Sequence, residues 1–174
     1  MSDHLSAASF TVDITPDTPI PLSGRYTERV AEHLDSRLEA NLLFLKGSNS
    51  ACLIIAVDFL YVGEFLRSEV ERALRDKLSP EQILFCASHT HNGPATDSSK
   101  PLIGPVNDEF LRRCSEELIR ASLSVVEAPL QEVQLVAADA DLDHSVNRRR
   151  WRALRYDPGD GFTRGGIALR VRVS

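Results

Sequence analysis

Apolar residues fall in short blocks separated by polar turns, and the spacing inside each block predicts its element. The run Ala51-Cys52-Leu53-Ile54-Ile55-Ala56-Val57 has no polar break, which predicts a central strand covered on both faces. Over 64–78, Phe65, Leu66, Val70, Ala73 and Leu74 share one helical face with charges opposite, which predicts an amphipathic helix. The apolar block 82–87 predicts the next strand. A strand-helix-strand unit of this kind is expected to be parallel and right-handed. Upstream, 38–45 reads as a strand joined to 51–57 by the turn residues Gly47-Ser48-Asn49, a plausible hairpin. The remaining elements are strands at 10–14, 130–138 and 166–173, and a helix over 107–126 capped by Asn107 or Asp108. Pro16, Pro19 and Pro21 enforce an extended, irregular connection after the first strand. The expected fold is α/β, with a mixed or largely parallel sheet flanked by helices.

Composition narrows the class. The 174 residues suit one domain, 1–174, with a sizeable core. A strand running to the last residue is also what a chain cut from something longer looks like, so a missing C-terminal part is expected. The hydrophobic fraction of 43 % excludes a disordered chain. A formal net charge of -5 argues against a nucleic-acid partner. Cys52 and Cys86 lie in apolar runs and Cys114 on the second helix, a pattern expected of buried thiols in a reducing compartment. Residues 1–9 lack the basic start and apolar run of a signal peptide, and no segment has the length of a transmembrane helix. A cytoplasmic protein is the expectation.

Candidate chemistry gathers where the strand at 82–87 stops. Cys86-Ala87-Ser88-His89-Thr90-His91-Asn92-Gly93-Pro94 passes from apolar residues to two histidines and then to a chain-breaking pair. In extended backbone His89 and His91 point to the same side, so they can share a site. Parallel strands at 51–57 and 82–87 would bring Asp58 to the same sheet edge. There its carboxylate either orients a histidine or structures the loop. The glycine- and proline-rich stretch 92–106 has the length of a site wall or lid. Other candidates are weaker. Gly24 permits positive φ or close backbone approach beside Arg25, a candidate anion contact. His33 lies between Glu32 and Asp35, a context that fits either a site wall or the surface. Asp139, Asp141 and Asp143 are paired acids in what reads as an exposed turn. Asn147-Arg148-Arg149-Arg150-Trp151-Arg152 reads as a basic patch for a small anionic or polarised group, a nucleic acid being the distant alternative.

The segment 87–94 resembles the N-terminal catalytic region of the neutral/alkaline ceramidase family, which carries Ala, Ser or Thr followed by His-Thr-His, Ser or Asn, Gly and Pro. Val12-Asp13-Ile14-Thr15-Pro16, Gly24-Arg25-Tyr26, Val57-Asp58, Ser79-Pro80-Glu81-Gln82-Ile83 and Asn147-Arg148 resemble further family features in the same order. The resemblance implies a zinc-dependent amide hydrolase acting on an N-acyl sphingoid base or a smaller polar amide, with a small-molecule amide or lipid as its partner. His89 matches the zinc-binding histidine. His91, Arg148 and Asp58 take the catalytic places, and Arg25, Asn147 and Arg149 contact substrate. The family's second metal histidine, in a Cys-His-Pro-like segment, and its later glutamate and tyrosine have no counterpart here. The family's His-Asp-Pro-Leu-Tyr-Ala-Arg stretch is degraded to His33-Leu34-Asp35-Ser36-Arg37-Leu38-Glu39. The alternative is a non-catalytic ceramidase-like module that binds a small anionic or amide ligand through Arg25, Arg148 and Arg149.

Overall fold

The structure is a computed structural model that describes residues 4–17, 19–24, 29–140 and 166–173. The chain divides into two compact units, Met1–Glu132 and Val133–Ser174.

In the first unit, β1 (Leu5–Asp13) is followed by a two-residue strand pair, β2 (Ile20–Pro21) and β3 (Val30–Ala31). Then come β4 (Glu39–Lys46), β5 (Ala51–Val57), α1 (Glu64–Leu74), β6 (Ile83–Ala87) and α2 (Asp108–Glu127). The sheet order is β6-β5-β4-β1. β1 runs antiparallel to β4, and β4 antiparallel to β5 around the turn at Gly47. Only β5 and β6 are parallel, paired from Leu53↔Ile83 to Val57↔Ala87. The sheet is therefore mixed, one of the two forms expected, and mostly antiparallel. The strand-helix-strand unit holds, with 51–57 and 83–87 as parallel neighbours. In the second unit, the residues of β7 (Gln131–Ala140) from Val133 onward pair antiparallel with β8 (Gly166–Val173).

The core forms on one face of the first unit's sheet. Alternate residues Ala40, Leu42 and Phe44 of β4 and Leu53, Ile55 and Val57 of β5 are buried there. Leu66, Val70 and Leu74 of α1 and Leu111, Leu118 and Val125 of α2 belong to the same cluster. The ring of Phe59 meets that of Phe110 edge-on at 6.1 Å, tying the end of β5 to α2. Asn107 caps α2 as expected, its side chain accepting from the Phe110 N–H at 2.9 Å. The strand covered on both faces is not what forms. Ile54 is half-buried, Ala56 and Cys86 are exposed, and Leu84 is 52 % exposed. An apolar run reports how much hydrocarbon a strand carries, not whether helices lie on both sides of it. The buried-thiol expectation fares likewise: Cys114 is buried, Cys52 half-buried and Cys86 exposed. Burial pushes the Cys114 thiol up to about 12. Among the described residues no helix is long and apolar enough to cross a membrane.

Candidate functional site

The backbone at the parallel strand ends sets the positions of the histidines. Pairing continues past β5 and β6: the Ser88 N–H donates to Val57 O and the His89 N–H to Phe59 O, each at 3.0 Å. The chain then turns sharply, with His89 at φ 62°, a left-handed conformation rare for a residue with a Cβ. His89 Nδ1 lies 3.0 Å from Leu60 O, and His91 Nδ1 lies 2.8 Å from Gly24 O. A carbonyl can only accept, so each Nδ1 is the donor in its contact. The two rings meet edge-on at 5.3 Å, so His89 and His91 do share a side, and the Tyr61 ring stands edge-on to His89 at 5.5 Å. Lys100 lies over the Tyr61 ring at 5.7 Å.

Two close approaches hold this loop. Gly24 has φ +84°, and a Cβ there would stand 2.4 Å from His91 Nδ1. Ser23, fully buried, donates both its N–H and its hydroxyl to Gly93 O at 2.9 Å. A Cβ on Gly63, at the start of α1, would lie 1.8 Å from Thr96 O, which seats the following stretch against the helix. The Thr96 hydroxyl reinforces that seat, donating to Tyr61 O at 2.6 Å and accepting from the Gly63 N–H at 3.2 Å. Lys100 and Ser99 fasten the next turn through Asp97. These contacts, the Lys100 one first, hold the Asp97 carboxyl below the usual carboxylate range.

Asp58 reaches the same sheet edge as His89, as parallel pairing requires. Its carboxylate accepts from the Glu39 N–H at 3.1 Å, and its own N–H donates to Glu39 O at 3.0 Å. Both of these contacts go to the backbone at the start of β4 and neither to a histidine.

Thr90 and Asn92 alternate with the histidines and face a different space. They line a cleft of about 370 Å³ whose other polar walls are Thr15, Arg29, His33, Asp35 and Ser36. Ile20, Leu22, Val30, Leu34, Leu38 and Pro94 make its apolar surface. Its sides are fixed by backbone. The β2–β3 ribbon pairs Ile20 with Ala31 and Pro21 with Val30, and the Leu22 N–H donates to Arg29 O at 2.7 Å. Opposite, the Leu38 N–H donates to the Thr15 hydroxyl at 2.9 Å. Thr15 also donates its N–H to Asp13 at 2.9 Å. Thr15, together with Arg37, holds the Asp13 carboxyl below its usual range. His33 is thus a cleft residue, one of the two places its sequence context allowed. Arg29 went unremarked in the sequence: it sits in a polar stretch, and a two-residue ribbon is too short to show a period. His89 and His91 do not line this cleft. Arg25, Asn147, Arg148, Arg149 and the acids of 141–144 lie outside the described residues.

No protein-family model matches the chain, and no curated protein does. Its fold is similar to that of neutral ceramidase from Pseudomonas aeruginosa, with a TM-score of 0.71 and 16 % identity over 82 % of this chain and 24 % of that one. It is also similar to a ceramidase complexed with C2, with a TM-score of 0.67 and 16 % identity over 81 % of this chain and 24 % of that one. The chain spans about a quarter of either structure. At this identity the likeness is one of fold, so the resemblance seen in the sequence stands at that level.

The zinc-dependent hydrolase reading is overturned. Among the described residues no three or more His, Cys, Asp or Glu side chains come together to hold a metal ion. A catalytic zinc needs about three protein ligands. Among the described residues His89 has only His91 as an imidazole neighbour, and Asp58 is turned to Glu39. His33 lines the separate cleft, and His4 lies 3.0 Å from Glu132. The assignment of zinc to His89, and the metal-binding character with it, is withdrawn.

Proposed function

We propose that the chain acts as a ligand-binding module on a ceramidase-like fold, taking a small anionic or amide ligand without a metal. The cleft between the 90–94 loop and the β2–β3 ribbon carries this reading. Its volume is at the small end of the ~300–1,000 Å³ typical of ligand pockets. It combines an apolar wall with a few converging polar groups, the usual make-up of such a site. The Arg29 guanidinium is a planar, permanently charged donor suited to a carboxylate. The Asn92 amide and the Thr15 and Thr90 hydroxyls can both donate and accept, as an amide ligand requires. In this reading the histidines position the loop. His91 fastens it to Gly24, and His89 fastens it to Leu60. Arg25, Arg148 and Arg149 remain the anion contacts that the sequence suggests, and Asn147 the substrate contact that the family resemblance implies.

The test is a titration of the chain with acetate and acetamide analogues bearing a short alkyl group, followed by amide chemical shifts. Shifts should concentrate on 15–16, 29–38 and 90–94 and persist in excess chelator. Arg29→Ala should weaken carboxylate binding about tenfold or more, since a charged hydrogen bond contributes ~1.5–3 kcal/mol. Shifts confined to other surfaces, or no saturable binding, would remove the proposal.

A further inference from the structure

Resting on the binding reading, we infer that the preferred ligand is a small zwitterion with an apolar portion, of which an apolar α-amino acid is the simplest. The charges around the cleft point there. Two acids beside the cleft are paired, Asp13 with Arg37 and Asp17 with Arg113. Among the described residues, Arg29 and Asp35 take part in no such pair, yet both line the same cleft. A simple anion would gain from Arg29 and be repelled by Asp35, and a simple cation would meet the reverse. A molecule carrying both charges satisfies both groups. Its hydrocarbon would lie on Ile20, Leu22, Leu34 and Leu38, where Leu34 is now 55 % exposed and gains most from being covered. The Thr90 and Asn92 side chains at the loop end remain for the second oxygen of the carboxylate or the remaining ammonium hydrogens. The small volume favours one such molecule over a long-chain lipid.

Three isosteric probes separate the possibilities: leucine carries both charges, 4-methylpentanoate only the negative one, and leucinamide only the positive one. Isothermal or chemical-shift titration of the chain should show leucine binding at least tenfold more tightly than either of the others. Asp35→Asn should erase the advantage of leucine over 4-methylpentanoate, and Arg29→Gln its advantage over leucinamide. Both positions are partly or fully exposed, so the variants should keep the parent's circular dichroism. The ligand comparison on the parent chain decides the question even if they do not. If 4-methylpentanoate binds as tightly as leucine, the zwitterion is wrong while the binding site stands. If none of the three perturbs cleft residues, while the acetate and acetamide series does, the zwitterion alone falls. If neither set does, both readings fall.

Discussion

Gly24 shows at the scale of one residue why the loop cannot be rebuilt with ordinary side chains. Its φ of +84° is left-handed, and a Cβ would collide with the imidazole nitrogen that bonds its own carbonyl. Left-handed backbone costs a residue with a Cβ ~1–2 kcal/mol, and the collision adds to that. Gly24→Ala should therefore lower unfolding stability by about 2 kcal/mol or more, read from denaturant midpoints, and release His91 from its carbonyl. Gly63→Ala should cost more, because what its Cβ would strike is the Thr96 backbone rather than a side chain that can turn aside. Equal stability of Gly24→Ala and the parent would show that the loop has another conformation of similar energy. The sequence announced Gly24 as a site of close approach or positive φ, and it is both. Nothing in it announced Gly63, whose φ of -68° any residue could adopt.

At the scale of elements, the parts that could be read were those with a period long enough to see. The apolar face of α1 and the blocks on either side of it specified a parallel crossover, and the crossover fixed where Asp58 and the two histidines would emerge. The predicted helix end at 78 overshot. The helix closes at Leu74, where the Lys77 and Leu78 N–H groups both donate to the Leu74 carbonyl. The β2–β3 ribbon was invisible, so the cleft it walls was invisible too, and Arg29 with it. Two carboxylates fasten the cleft's surroundings to the rest of the unit: Asp13 at the end of β1, and Asp97 in the stretch seated on α1. Both are held below the usual carboxylate range, Asp13 chiefly by Thr15 and Asp97 chiefly by Lys100. A carboxylate depressed in the folded state stabilises above its unfolded value near 3.8, and loses that contribution as pH falls through the folded value. The thermal midpoint should thus fall as pH drops below about 4. Asp97→Asn and Asp13→Asn should each flatten that fall modestly, because both groups are partly solvated. Unchanged slopes in both variants would show that the two carboxylates do not fasten these segments.

For the whole molecule, a family-like loop and a family-like fold do not amount to the family's metal chemistry. The His89–His91 pair is built as its sequence suggested, on one side and at one sheet edge. The other ligands that would complete a zinc site are not assembled around it among the described residues. What the described fold offers instead is the cleft on the far side of the same loop, lined by Thr90 and Asn92. The most direct measurement is a ligand titration of the chain run in parallel with zinc added and with excess chelator, together with metal content after dialysis. Metal-free binding requires less than stoichiometric zinc, ligand affinity that is equal in the two arms for the parent and for a His89→Ala variant alike, and loss of affinity in Arg29→Ala. One tightly held zinc per chain, or binding that appears only with zinc and vanishes with His89, would contradict it.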